Sequence, residues 1–134
     1  MNSSKNINLD NIRTITINNV ELEYDVFDLD FAEKYEHGLI SVQKQAQVKD
    51  NTKKLSDVIK TQCNAVFDFF DDLFGEGTSE AVFGQKTNLM TCLMAFKTVT
   101  EAIEAQVTET TPLIDEIKNK NNNNLNRTQR RANR

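Results

Sequence analysis

The sequence predicts an α+β fold in which an N-terminal β-hairpin is followed by a mainly α-helical bundle. Two short segments alternate apolar and polar residues around Asn18-Asn19, which is the pattern of a hairpin. After them, apolar residues recur every three or four positions over long runs, which is the pattern of amphipathic helices. A single Pro and four Gly among 134 residues also favour helices over a loop-rich β fold.

The hairpin has a definite predicted register. Ile15 and Ile17 precede the two asparagines, and Val20 and Leu22 follow them. Asn tolerates the positive φ that a two-residue type I′ turn requires, and such a turn pairs Ile17 with Val20 and Ile15 with Leu22. Both apolar rows then lie on one face. Because an isolated two-stranded hairpin is marginal in water, this face is expected to pack on the helices or on another chain.

Three main helices and additional short ones are predicted after the hairpin. Asp30 and Glu33 resemble a capping box that opens the first main helix. The second carries a wide apolar stripe and ends near Gly75. A short helical turn follows at 78–84 and ends at Gly84, and the third main helix covers about 87–107. Pro112 is expected at the start of a last short helix.

The length favours one domain, which we place at residues 11–118 between a flexible N-terminus, 1–10, and a disordered basic tail, 119–134. All twenty acidic residues precede Lys118, whereas six of the sixteen cations lie at or after it. The tail is interpreted as a solubilising segment, a protein-binding arm or a nucleic-acid arm. The last is disfavoured because the tail lacks an aromatic residue for base stacking and the acidic body would repel a duplex.

The sequence shows no constellation that indicates catalysis, a cofactor or a metal. It contains no nucleophile elbow, phosphate-binding glycine loop or dinucleotide fingerprint, and His37 is its only histidine. Cys63 and Cys92 fall on apolar helical positions, so we expect buried reduced thiols, with a disulfide as the alternative. The sequence has no apolar run long enough to span a bilayer and no signal-peptide pattern, so a cytosolic protein is expected.

The Phe-rich part of the second helix is the main candidate for partner binding. Phe67, Phe70 and Phe74 are expected to be mostly core, whereas Phe69 is expected to point away from the stripe and to contact a partner. The neighbouring acids form either a solvated face or a margin that meets a basic partner. The candidate partner-binding residues are Phe69, Asp68, Asp71, Asp72, Phe74, Phe83, Arg127, Arg130 and Arg131.

Several segments together carry a resemblance to a known family. Leu29–Lys34 follows the hairpin, and the hydrophobic-acidic run Val66–Gly77 ends in Phe-Gly-Glu-Gly. Val82-Phe83-Gly84 comes soon after, and Arg127–Arg131 lies near the end. In this order the segments resemble the small tail assembly chaperones of long-tailed phages and prophages of Gram-positive bacteria. The layout is similar over residues 12–105, and about 25 residues match in motif detail.

The resemblance implies a non-catalytic protein of the host bacterial cytoplasm. Such chaperones hold the tape measure protein, help to recruit tail tube subunits and are usually absent from the mature virion. Several copies would cover a long client, so a homo-oligomer is expected. Two alternatives stay open: a structural or adaptor protein retained in a phage particle, and a small nucleic-acid-binding regulator that acts through its basic tail.

Overall fold

The computed structural model describes residue 9, residues 11–47 and residues 54–132, with the backbone alone for residue 47 and residues 121–132. The predicted fold class is confirmed, because an antiparallel hairpin precedes a set of helices. The predicted break near residues 50–52 and most of the predicted flexible N-terminus lie outside the described residues. The elements in chain order are β1 (Arg13–Ile17), β2 (Val20–Tyr24), α1 (Leu29–Gln47), α2 (Leu55–Phe74), α3 (Thr78–Phe83) and α4 (Leu89–Ala132).

The hairpin adopts the predicted register. Ile15 pairs with Leu22 and Ile17 with Val20. Asn18 and Asn19 have φ values of 50° and 64°, as a type I′ turn requires. The Asn18 side chain donates a hydrogen bond to the carbonyl of Val82 at 2.7 Å, which ties the turn to α3.

The core lies around α2, which contacts α1, α3, α4 and β2. Its most buried side chains are Phe70, Val66 and Cys63, and α4 places Cys92, Val99 and Ile103 among the core residues. Every buried residue that the structure describes lies between Leu22 and Gln106. None of the described helices is long and apolar enough to cross a bilayer.

The predicted capping box at the start of α1 is wrong. Asp28, rather than Asp30, caps the helix, because its carboxylate accepts a hydrogen bond from the backbone N–H of Phe31 at 3.1 Å. Asp30 instead forms an ion pair with Lys34 one turn later, at 3.1 Å. Helix α1 consequently begins at Leu29.

Helix α4 is much longer than expected. The sequence predicted a stop near residue 107 and a separate short helix after Pro112. Instead the helix passes through Pro112 and its backbone continues to Ala132. Pro112 removes one backbone donor and its ring crowds the carbonyl one turn earlier, so the helix continues through a locally weakened turn. Residues 119–132 contain no further Pro and no Gly to end the helix.

Gln106 holds the hairpin on α4. It is fully buried, its Nε2 donates to the carbonyl of Asn11 at 3.1 Å, and its Oε1 accepts from the N–H of Val26 at 2.8 Å. These two bonds satisfy backbone groups at both ends of the hairpin. Close by, Arg13 of β1 forms an ion pair with Glu109 of α4. The open end of the hairpin is therefore anchored near the middle of α4.

Candidate functional site

Phe69 is a core residue, so its predicted role as an exposed contact residue is wrong. Its side chain is 2% exposed. Its ring packs edge-on against those of Tyr35, at 6.2 Å between centroids, and Phe96, at 5.0 Å. The prediction counted a single apolar stripe on α2. Because α2 packs against α1 as well as α4, its buried arc is wider and includes Phe69.

The three aspartates near Phe69 have different roles. Asp71 accepts hydrogen bonds from the N–H and the hydroxyl of Ser79, both at 2.8 Å, and so fixes the start of α3 on the end of α2. Asp68 and Asp72 are exposed. Partial burial, followed by the neighbouring charges of Asp72 and Asp71, raises the pKa of Asp68 above its ordinary value. Asp68 and Asp72 thus form an acidic surface, whereas Asp71 is structural.

A cavity of about 680 Å³ lies between the start of α1 and the end of α2. Asp30 and Lys34 in its wall already pair with each other. Nowhere in the described part of the chain do three His, Cys, Asp or Glu side chains come together in a way that could hold a metal ion. We therefore interpret this cavity as part of a solvated, mostly acidic surface. Its lining residues are Asp30, Glu33, Lys34, His37, Asp71, Asp72 and Gly75.

The other predicted site residues are distributed over three places. Phe74 is half-buried and contacts the rings of Phe31 and Phe70 at 6.2 and 5.8 Å. Phe83, 9% exposed, packs against Phe67 and Phe70 at 5.2 Å each. The last turns of helix α4 carry the predicted arginines Arg127, Arg130 and Arg131. Their side chains lie outside the described part of the structure.

The described cysteines are free thiols in the core, as the sequence indicated. Burial is the main cause that raises the pKa of Cys92 to about 12, and the adjacent Cys63 thiol adds to it. Because the thiolate is the reactive form, Cys92 is a poor nucleophile near neutral pH.

A second cavity, of about 580 Å³, lies between the hairpin turn, α3 and α4, and we call it the hairpin groove. Apolar side chains and threonines make up its wall together with Asn18, and no charged residue lines it. Its lining residues are Thr16, Ile17, Asn18, Val82, Phe83, Thr91, Met94, Ala95 and Thr98. The hydrogen bond from Asn18 to Val82 joins two of its sides and fixes their separation.

Met94 is the most accessible apolar residue of the hairpin groove, at 64% exposed. Methionine is flexible and polarisable, and exposed methionines suit partners of variable shape. Of the predicted site residues, only Phe83 lies in this groove. The sequence carried one overlooked signal, since Thr91, Met94, Ala95 and Thr98 share helical spacing. Their proximity to the hairpin turn, however, depends on how α4 meets β1.

Comparison with known proteins gives a family for the chain. No curated protein and no solved structure matches it. The sequence model of a family of unknown function (DUF6673) matches residues 18–134, a range that begins in the hairpin turn and includes all of α4. Since this range is most of the chain, the protein belongs to that family.

Proposed function

We propose that this protein is a non-catalytic assembly chaperone of phage tails, which binds the tape measure protein and helps to recruit tail tube subunits. The hairpin groove is the client site in this proposal. It would hold one apolar face of an amphipathic helix of the client until the tube subunits displace it.

The single observation that carries the client site is the uncharged lining of the hairpin groove next to the exposed side chain of Met94. A groove of this kind favours the apolar face of a helix, and its threonine hydroxyls tolerate partial hydration. The choice of a phage client comes from the resemblance of the Phe-Gly-Glu-Gly and Phe-Gly segments to tail assembly chaperones.

Charge supports a client with basic flanks. Asp68 and Asp72 are exposed on α2, and the first 117 residues of the chain carry all of its twenty acidic residues. Such a surface speeds the encounter with a basic partner and makes it sensitive to salt, while apolar contacts supply most of the affinity. Binding of this kind is reversible, which suits a holder that must later leave the tail.

The proposal also covers where the protein acts. It would act in the host bacterial cytoplasm, as several copies on one long client, and would be absent from the mature virion. Mass spectrometry of purified particles tests the last point. Stoichiometric amounts of this chain in finished particles would favour a structural or adaptor protein instead, and a salt-dependent gel shift through the tail would favour a nucleic-acid-binding regulator.

The direct experiment is co-purification with the tape measure protein encoded in the same genome. We expect Met94→Glu to weaken capture roughly tenfold, because it places a charge in an apolar contact. Met90→Glu is the matched control: Met90 is also 64% exposed and on α4, but it does not line the hairpin groove. Equal capture by the wild type and both variants would move the client site away from the groove, and no capture by the wild type would remove the proposed function.

A further inference from the structure

Helix α4 extends well beyond the folded body, which consists of the hairpin, α1, α2, α3 and α4 as far as Thr110. The row of Val99, Ile103 and Gln106 is fully buried, and Thr110 continues it as a half-buried residue. One turn later the same row reaches Ile114 and Ile117, which are 39% and 54% exposed. The core-facing side of α4 therefore emerges from the body as an uncovered apolar surface.

The sequence continues this row along the rest of α4. Thr110, Ile114 and Ile117 are followed at the same intervals by Asn121, Leu125, Thr128 and Ala132. The intervals repeat every eleven residues, a period that keeps one face of a nearly straight helix towards a partner. We call this row the α4 stripe. It spans about 34 Å at the rise of an α-helix.

The charges along this part of α4 are segregated. Glu109, Asp115 and Glu116 precede Lys118, and only cations follow it, among them Arg127. A helix that is acidic in its first half and basic in its second is complementary to a reversed copy of itself. A parallel copy would place like charges side by side.

We propose that the α4 stripe is a docking surface for the α4 stripe of a second copy of this chain, in antiparallel orientation about a two-fold axis near Asn121. In this register Ile117 lies opposite Leu125 of the second copy, and Ile114 lies opposite Thr128. Glu116 comes level with Arg127, and each contact occurs twice because of the symmetry.

The antiparallel register also agrees with the position of the body. The body covers the same face of α4 up to about Thr110, so a second helix on that face cannot extend past this residue. Pairing about Asn121 places Thr110 opposite Ala132 of the second helix. The two bodies then lie at opposite ends of the helix pair. A parallel pair would bring both bodies to the same end and the same face, where they would collide.

The first test is sedimentation velocity on the full-length protein over a wide range of concentrations. We expect reversible dimers that weaken as salt is raised. Ile117→Asp should reduce self-association about tenfold, because it places a carboxylate in the apolar stripe. Leu55→Asp makes the same change at a residue that is 72% exposed at the start of α2, and it should have no effect. A wild type that stays monomeric throughout would overturn the proposal.

Charge reversal tests the orientation. Glu116→Lys and Arg127→Glu should each weaken the dimer about tenfold, and the double variant should restore it, because both pairs are then attractive again. In a parallel pair Glu116 would lie beside Glu116 of the second copy, and Arg127 beside Arg127 of the second copy. Either single reversal would then replace one pair of like charges with another, so it would not turn attraction into repulsion. Single variants that dimerise like the wild type would therefore exclude the antiparallel arrangement.

This inference does not depend on the proposed client, and the two can fail separately. Ile117→Asp should self-associate about tenfold more weakly and still capture the tape measure protein through the hairpin groove. If that variant instead loses capture while the wild type is already monomeric, the α4 stripe is a client surface and the self-docking proposal is wrong.

Discussion

At the residue scale, Gly38 and Phe69 explain how closely α1 approaches α2. A Cβ atom at position 38 would lie 2.8 Å from Cδ2 of Phe69, a distance that real contacts do not reach. Phe69 is buried among the rings of Tyr35, Phe70 and Phe96, so it has no room to move aside. Glycine inside α1 therefore weakens the helix locally and permits the helix contact.

We expect Gly38→Ala to lower the free energy of unfolding by about 1 kcal/mol, since the cost of overpacking exceeds the gain in helix propensity. Urea unfolding measures the change. Ser41→Ala on an exposed turn of the same helix is the control and should be neutral or slightly stabilising. In the background Phe69→Leu, the penalty of Gly38→Ala should shrink. A more stable Gly38→Ala variant would mean that the two helices are not in close contact here.

The Cys92 thiol gives stability a dependence on alkaline pH. Its pKa is raised from 9.0 to about 12 by burial and by the neighbouring Cys63 thiol. The unfolded chain therefore releases this proton at lower pH than the folded chain does. The contribution of Cys92 to stability is complete below pH 9.0 and is lost as the pH rises towards about 12.

We therefore expect the free energy of unfolding of the wild type to fall above about pH 9 more steeply than that of Cys92→Ala. Urea titrations of both proteins at a series of alkaline pH values measure the difference, which removes the contribution of other titrating groups. Parallel curves for the two proteins would show that the thiol titrates alike in the folded and unfolded chains.

At the scale of single elements, the two asparagines of the hairpin turn are not equivalent. Both have positive φ, but it is the Asn18 side chain that donates a hydrogen bond to the carbonyl of Val82 in α3. Asn19→Gly should stabilise the protein by about 0.5 kcal/mol, because Asn-Gly is the preferred type I′ pair. Asn18→Gly should destabilise it by about 1 kcal/mol through loss of that hydrogen bond. Thermal unfolding of both variants measures the contrast, and equal effects would contradict it.

Elements whose determinants are local were predictable from the sequence. The hairpin register depends on alternation and on a two-residue turn, and the end of α2 depends on Gly75, whose φ is 117°. Burial of Phe69 depends on a second helix that packs beside α2, and spacing within α2 does not contain that information. The choice between Asp28 and Asp30 as the cap was equally open, because both carboxylates precede the same apolar run.

The candidate site was less predictable than the fold because it depends on contacts between distant segments. The hairpin groove joins residues near position 17, near position 82 and on α4, and only the packing of α4 against β1 brings them together. Of the acidic residues around Phe69, Asp68 and Asp72 lie on the surface, as predicted. Asp71 instead binds Ser79, an interaction eight residues away that depends on the turn between α2 and α3.

At the scale of the whole molecule, the chain consists of the folded body and an arm, which is the part of α4 from residue 111 to residue 132. Every buried residue described lies at or before Gln106, and all residues from 111 to 120 are exposed. A single helix without tertiary contacts is marginal in water. The arm is thus expected to be stable as a helix only when it is paired. The body, in contrast, contains the whole of the described core and the hairpin groove.

A chain truncated after Thr111 should therefore keep the fold of the body. It retains Gln106 and the ion pair between Arg13 and Glu109, and it loses six cations and two acidic residues. We expect its free energy of unfolding to stay within about 0.5 kcal/mol of the wild-type monomer, as for other surface changes. Urea unfolding at low protein concentration measures this, and sedimentation should show that the truncated chain no longer self-associates. Truncation after Ala102 is the contrasting variant: it removes Ile103 and Gln106 from the core and should not fold. A loss of several kcal/mol on truncation after Thr111 would instead show that the arm packs against the body and supports it.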